Sequence, residues 1–231
     1  MTQKQLYAIG GVLALLLLLI GGYFFFLAPS ATPASQASLP PERIVATDRT
    51  LGSASAKVTV IEYGALTCPV CAGFNNDIFP QFKEKYIDTG KVYYVYRLFP
   101  IDQADPKAEK IARCLPADMY FQFTDMLYRK QDEWGPEQMG ERLQGTPPQP
   151  KTEAGLIRMA AIAGMGSDKA TQCMTGTAED ARINKVAGEG DARYHIGGTP
   201  TFVINGVAQP AGPIGWDKLQ VLLDAELAKK K

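Results

Sequence analysis

The hydrophobic pattern begins with an apolar N-terminal segment. No charged residue occurs in Leu6–Ala28, and these 23 residues, at about 1.5 Å each, can cross a hydrocarbon core of roughly 30 Å. Lys4 precedes the segment, and no charge follows before Glu42. The positive-inside rule then places residues 1–5 in the cytoplasm and the rest of the chain outside. We therefore predict a single transmembrane anchor over residues 6–28.

A cleaved signal peptide is the alternative for this segment. Small residues suited to cleavage occur at Ala28–Ala31, but the apolar run is longer than a typical signal core of about 7–15 residues, which favours the anchor. Residues 29–50 follow as a linker and lead-in, rich in Pro, Ala and Ser near its start, and the prolines favour extended geometry. Both interpretations export the domain predicted over residues 51–231.

Within that domain the pattern first predicts a βαβ unit. Val58–Tyr63 and Val92–Leu98 carry apolar residues on both faces, which is typical of buried strands. Between them an apolar residue recurs at every fourth position, which predicts one apolar helix face. These residues are Val70, Phe74, Ile78, Phe82 and Tyr86. A strand, a helix and a strand within about 40 residues predict two parallel strands joined by a right-handed crossover.

The rest of the domain predicts helices, then a hairpin and a last helix. Residues 105–194 show helical patterns and no strand signal. The predicted helices cover residues 106–130, 151–164, 167–174 and 177–194. Thr201–Ile204 and Val207–Gln209 flank Asn205-Gly206, the strongest two-residue hairpin signal, and an amphipathic helix follows. We therefore predict an α/β domain with a helical insertion at about residues 105–194.

Charge and cysteine content narrow the function classes. The 24 Lys and Arg residues balance the 24 Asp and Glu residues, so no basic surface for nucleic acid is indicated. All four cysteines follow the apolar segment, which suits an exported protein because disulfides persist in oxidising compartments.

The sequence Cys68-Pro69-Val70-Cys71 carries the candidate chemistry. It follows the first strand and opens the first helix, so Cys68 is expected at a helix N-terminus, where partial positive charge favours the thiolate. Cys71, three residues later, lies on the same helix face and can attack Cys68. The pattern predicts a reversible dithiol–disulfide pair.

The other two cysteines, Cys114 and Cys173, both fall in the predicted helical insertion. We predict a structural disulfide that joins two of its helices. A tetrathiolate zinc site made of all four cysteines is the alternative. Such a site needs a second short-spaced pair, and these two residues are 59 positions apart, so no metal site is predicted.

Together these motifs resemble the DsbA-type thiol:disulfide oxidoreductases in their membrane-anchored bacterial form. The resemblance covers about Leu51 to the C-terminus. It is carried by Val58–Tyr63 leading into Cys68–Cys71, and by Phe79-Pro80, Tyr94–Arg97 and Gly198–Gly206. It implies a thioredoxin fold with a helical insertion, no cofactor beyond the redox-active disulfide, and a periplasmic domain anchored in the inner membrane.

The resemblance also implies roles for residues around the CxxC motif. Cys68 would be the exposed nucleophile and Cys71 the buried resolving thiol. Pro200 would be a cis-proline that faces the pair, where the backbone of Thr199 can bind an unfolded client as an added strand. The alternative for Pro200 is an ordinary trans turn.

Two charged residues and one histidine are further candidates. Glu62, six residues before Cys68, would be a buried acid whose pKa burial raises and which relays protons. The alternative is a strand-edge glutamate that reaches water. Arg97 is a candidate partner for Glu62. His195 is the only histidine, and a minor role for it near the turn at residues 197–200 stays open.

The resemblance implies thiol–disulfide exchange with unfolded exported proteins that carry free cysteines. A disulfide-introducing oxidase would be reoxidised by a DsbB-like membrane quinone reductase. A reductase or isomerase would instead be kept reduced by another membrane redox partner. Val70 stands where the strong oxidants have His, which predicts a weaker oxidant. Thr199 stands where they have Val, which leaves a reductase or isomerase role open. A non-enzymatic client-binding chaperone or assembly factor is the third class.

Overall fold

The computed structural model describes residues 43–136 and 150–229. The cytoplasmic tip predicted over residues 1–5, the anchor over 6–28 and most of the linker lie outside these residues. Among the helices within the two described ranges, none has both the length and the apolar character needed to cross a bilayer.

A five-stranded mixed sheet with the order β1-β3-β2-β4-β5 forms the centre of the domain. Its strands are β1 Arg49–Leu51, β2 Val58–Gly64, β3 Val92–Leu98, β4 Thr201–Ile204 and β5 Val207–Ala208. β2 and β3 pair in parallel, and the other neighbours pair antiparallel. The two parallel strands are buried almost throughout, which explains why both of their faces are apolar.

The helix after β2, named α1, alternates between two helical geometries. Its segments are Pro69–Gly73, Phe74–Ile78, Phe79–Phe82 and Lys83–Ile87, of which the second and fourth have π-helical hydrogen bonding. An α-helix has about 3.6 residues per turn, so a strict four-residue repeat would drift around its surface. The π segments widen the turns, and three members of the repeat, Phe74, Phe82 and Tyr86, are buried in the core.

The helical insertion lies between β3 and β4 in the chain. Its helices are α2 Ala104–Cys114, α3 Tyr120–Arg129, α4 Gln131–Trp134, α5 Pro150–Ile162, α6 Ser167–Thr175 and α7 Asp180–Tyr194. The prediction of one continuous helix over residues 106–130 is wrong. The chain leaves the helix at Leu115 (φ −75°, ψ 160°), because the residue before a proline disfavours helical geometry, and Pro116 follows.

The hairpin and the last helix complete the domain. Asn205 and Gly206 both have positive φ, 47° and 83°, as the predicted hairpin turn requires. The last helix, α8 Trp216–Ala228, buries Leu219 and Leu223 completely. The predicted α/β fold with a helical insertion is confirmed.

Alternate residues of the central strands lie on opposite faces of the sheet. One buried cluster contains Val60, Tyr94 and Phe202 together with side chains of α1 and the insertion. The second contains Ile61 and Val95. Successive strand residues point to opposite faces, so even-numbered residues of β2 and β3 face α1 and odd-numbered residues face away from it.

Candidate active site

The CxxC motif lies at the carboxyl end of β2, where α1 begins. Cys68 is the N-cap residue with extended backbone geometry, and Pro69 takes the first helical position, where no N–H is needed. The N–H of Cys68 donates to the carbonyl of Ala65 at 3.1 Å, and its carbonyl accepts from the N–H of Ala72 at 3.0 Å. The Sγ of Cys68 lies 3.3 Å from the carbonyl oxygen of Thr199, to which it donates a hydrogen bond while it is a thiol.

The side chain of Cys68 is more buried than predicted. The residue is 4% exposed, because its thiol is turned toward the backbone of Thr199. The expectation of an exposed side chain is therefore corrected. Pro69 is exposed and Val70 half-buried, so solvent reaches the motif beside the sulfur.

Hydrogen bonds to its sulfur lower the pKa of Cys68 to about 5. The largest effect comes from the thiol of Cys71, and smaller ones come from the side chain of Thr199 and from the backbone N–H groups of Cys71 and Val70. Burial acts in the opposite direction. Because the helix N-terminus and the N–H groups favour negative charge, Cys68 is a thiolate at neutral pH.

Cys71 has the opposite character. It is completely buried, and burial raises its pKa well above the ordinary thiol value, with its hydrogen bond to Cys68 and the charge of Glu62 acting in the same direction. Both thiols are free in the structure. The pair therefore consists of a thiolate at the helix N-terminus and a protonated thiol beneath it.

Glu62 is buried below the motif. It is 2% exposed, and its Oε2 accepts a hydrogen bond of 2.6 Å from the hydroxyl of Tyr94. Burial raises the pKa of Glu62 to about 7, the hydrogen bond from Tyr94 lowers it, and the charge of Cys68 raises it further. This burial excludes the alternative of a strand-edge glutamate that reaches water.

The suggested pairing of Arg97 with Glu62 is wrong. Tyr63 is the parallel partner of Arg97, so the two lie on the sheet face opposite Glu62. The guanidinium of Arg97 donates from Nη2 to Oδ2 of Asp48 at 2.8 Å and from Nη1 to the hydroxyl of Tyr63 at 3.1 Å. It also donates to the carbonyl of Arg43, so Arg97 ties the lead-in to the sheet.

The turn before β4 faces the cysteine pair. The peptide bond between Thr199 and Pro200 is cis, which excludes the trans alternative, and both residues are buried. The hydroxyl of Thr199 is buried without a hydrogen bond of regular geometry, but the Thr199 side chain lowers the pKa of Cys68, as a donor near a thiolate does. His195 is exposed at the left-handed end of α7 (φ 50°).

A second pair of cysteines is joined in the insertion. Cys114 at the end of α2 and Cys173 in α6 form a disulfide with an S–S distance of 2.10 Å. Because this bond uses two of the four thiols, the tetrathiolate zinc alternative is excluded.

Three residues that contact the site carry no clear signal in the sequence. Tyr94 resembles an ordinary strand aromatic, but its hydroxyl contacts Glu62. Asp105 and Gln131, from α2 and α4 of the insertion, bind the loop that leads to Cys68. Only the fold brings these residues to the motif, so neither spacing nor periodicity could have identified them.

Comparisons with known proteins agree with this geometry. The Thioredoxin family profile matches residues 45–225. A "Putative protein-disulfide oxidoreductase" of Rickettsia felis is 31% identical over 217 residues, which cover 87% of this chain and 70% of that protein. A "Probable disulfide bond formation protein D" of Bacillus anthracis is 32% identical over 102 residues, 40% of this chain and 46% of that protein. The crystal structure of alpha-DsbA1 of Wolbachia pipientis has a TM-score of 0.67 at 27% identity, covering 80% of this chain and 92% of that one.

Proposed function

This chain belongs to the thioredoxin family as a DsbA-like protein-disulfide oxidoreductase, and we propose that it is an oxidase that introduces disulfides into exported proteins. The observation that carries this direction is the thiolate of Cys68, whose pKa is lowered to about 5. A disulfide whose reduced form is stabilised takes up electrons readily, so it oxidises other thiols.

The proposed reaction is two successive thiol–disulfide exchanges. A client thiolate attacks Sγ of Cys68 in the oxidised enzyme, the Cys68–Cys71 bond breaks, and Cys71 leaves and takes up a proton. A second client thiolate then attacks the client sulfur of the mixed disulfide and releases Cys68 as a thiolate. Two electrons pass from the client to the enzyme, and the client gains one disulfide. Attack occurs at Cys68 because this residue lies beside the exposed Pro69 at the rim of the site, whereas Cys71 is completely buried. The low pKa of Cys68 then makes it a good leaving group in the second exchange.

Glu62 suits the proton transfer that Cys71 requires. Its pKa of about 7 lets it hold or release a proton near neutral pH, and its charge is felt at Cys71. Cys71 is completely buried, so its thiolate would be costly without a nearby proton source. We therefore assign to Glu62 the transfer of a proton to and from Cys71.

The proposed clients are unfolded exported proteins with free cysteines. The carbonyl of Thr199 lies beside Cys68, where an extended client segment can pair with the backbone of Thr199. The proposed location is the outer side of the cytoplasmic membrane, with residues 6–28 as the anchor. A quinone-linked membrane protein of the DsbB type would reoxidise the pair.

A reductase or isomerase is the second candidate function. The observation in its favour is the half-buried Val70 between the cysteines, which adds no side-chain donor for the thiolate. The redox state of Cys68 and Cys71 in growing cells separates the two directions. It is measured by trapping free thiols in acid and alkylating them with a mass tag.

An oxidase is expected to be mostly oxidised at steady state, and a mostly reduced pair would overturn the proposed direction. The same cells should also express the Cys68→Ser/Cys71→Ser variant. If that variant still supports folding of the clients, the protein acts as a non-enzymatic chaperone or assembly factor.

A further inference from the structure

The loop that carries Cys68 is bound by a buried carboxylate of the helical insertion. Asp105 near the start of α2 is completely buried. Its Oδ1 accepts the backbone N–H of Thr67 at 2.8 Å, and its Oδ2 accepts the hydroxyl of Thr67 at 3.1 Å. Oδ2 also accepts the N–H groups of Ile101 and Asp102, both at 2.9 Å. One side chain thereby connects the loops that follow the parallel strands β2 and β3.

A second side chain of the insertion binds the same loop from another helix. Nε2 of Gln131, the first residue of α4, donates to the carbonyl of Leu66 at 2.7 Å and to that of Cys68 at 3.1 Å. The two bonds use both N–H groups of the amide. Leu66, Thr67 and Cys68 each therefore have a backbone group bound by a side chain of the insertion.

This arrangement places buried polar groups, whose desolvation costs free energy, at one short loop. A buried carboxylate is tolerated only where hydrogen bonds replace its lost hydration, and Asp105 takes all four of its described donors from the two loops. Thr67 is itself 1% exposed. Such a network gives a rigid loop, because each member is fixed by the others.

Rigidity matters because the forces on the Cys68 sulfur act over short distances. The effect of a helix N-terminus falls off within its first turn, and a hydrogen bond weakens steeply as its geometry worsens. The groups that lower the pKa of Cys68 are the thiol of Cys71, the side chain of Thr199 and the backbone N–H groups of Cys71 and Val70. A shift of residues 66–68 would move the sulfur away from the helix N-terminus and from these donors at once.

We propose that Asp105 and Gln131 are positioning residues for Cys68, which hold residues 66–68 so that the sulfur stays at the N-terminus of α1 and opposite Thr199. The proposal deepens the proposed function and rests on it only in taking Cys68 as the reacting thiol. Among the described hydrogen bonds, those of Asp105 and Gln131 go to the loop and not to the sulfur, so both residues act through the position of the loop.

The test compares Asp105→Asn and Gln131→Met with two matched controls in the full-length chain purified in detergent. Glu109→Gln alters another completely buried carboxylate of α2, one turn after Asp105, which binds Tyr120 and Arg182. Gln81→Met alters another glutamine amide that donates to a backbone carbonyl, that of Asp77. The controls therefore reproduce the replacement of a buried carboxyl group by an amide and the loss of an amide donor, both away from the loop.

The readout is the pH titration of the Cys68 thiolate by its ultraviolet absorbance, together with the pH profile of its alkylation by iodoacetamide. We expect the titration midpoint to rise by roughly one pH unit in Asp105→Asn and Gln131→Met, because the displaced thiolate of Cys68 loses the equivalent of one charge-assisted hydrogen bond to its sulfur. The midpoint should stay at the parent value in both controls. Thermal unfolding of each variant shows whether it is folded at the assay temperature.

Midpoints that stay at the parent value in both loop variants would overturn the proposal. Equal shifts in the loop variants and the controls would do the same, because they would reflect general destabilisation. The proposed function fails differently. If the pair is mostly reduced in cells while the two loop variants still shift the midpoint, the direction of exchange is wrong and the positioning role holds.

Discussion

The thiolate of Cys68 makes the reduced protein more stable as the pH rises. Its pKa is about 5 in the folded protein against 9.0 for an ordinary cysteine, so folding favours the ionised form. The resulting stabilisation is complete above pH 9 and is lost as the pH falls through 5. At pH 7, which is two units above the pKa of about 5 in the folded protein, the thiolate contributes about 2.7 kcal/mol to the free energy of unfolding. Screening by solvent at the rim of the site reduces this contribution to about 1–2 kcal/mol.

The measurement compares reduced parent protein with the Cys68→Ser variant. Guanidinium unfolding, followed by circular dichroism at pH 4 and pH 7, gives the free energy of unfolding of each. Both proteins are held in the same excess of reductant, so that the second disulfide is in the same state in both. The stability difference between parent and variant should grow by about 1–2 kcal/mol in favour of the parent from pH 4 to pH 7.

A difference that stays constant between the two pH values would refute the reasoning. The result also bears on the direction of exchange, because the oxidised enzyme has no Cys68 thiolate. A stabilisation of about 1.4 kcal/mol of the reduced form makes the reduction potential more oxidising by roughly 30 mV. Glu62 titrates in the same range, but it is present in both proteins, so most of its contribution cancels.

Three other substitutions probe separate parts of the site. Val70→His adds a donor beside Cys68, so we expect a more oxidising potential in titration against a glutathione couple, and an unchanged potential would contradict this. Burial raises the pKa of Glu62 from 4.5 to about 7, so the protonated carboxyl stabilises the fold below pH 4.5, and this contribution is lost as the pH rises through 7. Glu62→Gln should therefore lose less thermal stability than the parent between pH 5 and pH 8. Equal losses would show that Glu62 does not cause the pH dependence. Replacing Cys114 and Cys173 together by Ala should lower the free energy of unfolding by roughly 4 kcal/mol in the chain-entropy picture and leave the thiol exchange rate at the parent value; a slower exchange in the folded variant would contradict a purely structural role.

Local patterns predicted the central part of the fold well. The runs around Val60 and Val95 are apolar on both faces and form buried parallel strands, and Asn205-Gly206 forms the predicted turn. Strand β1 was missed because three residues at a sheet edge are too short to show a period. The break after Cys114 was missed because the aromatic pattern continues beyond Pro116.

The limits of prediction are clearest around the cysteine pair. The position of Cys68 at a helix N-terminus follows from a strand, a CxxC motif and a helix in sequence. The hydrogen-bond partner of Glu62 could not be predicted in the same way, because it depends on which face of the sheet Tyr94 and Arg97 each occupy. Asp105 and Gln131 contact the loop only after the insertion has folded over it, and a single sequence carries no trace of such long-range contacts.

The ion pair of Arg97 and Asp48 affects where the domain can be cut for expression. Arg97 is 6% exposed, and its guanidinium also donates to the carbonyl of Arg43. A fragment that begins at Leu51 would remove both partners and most of β1. Losing one member of a buried ion pair costs about 3–5 kcal/mol, a large part of the stability of an ordinary domain. A soluble fragment for crystallisation or assay should therefore begin at or before Arg43.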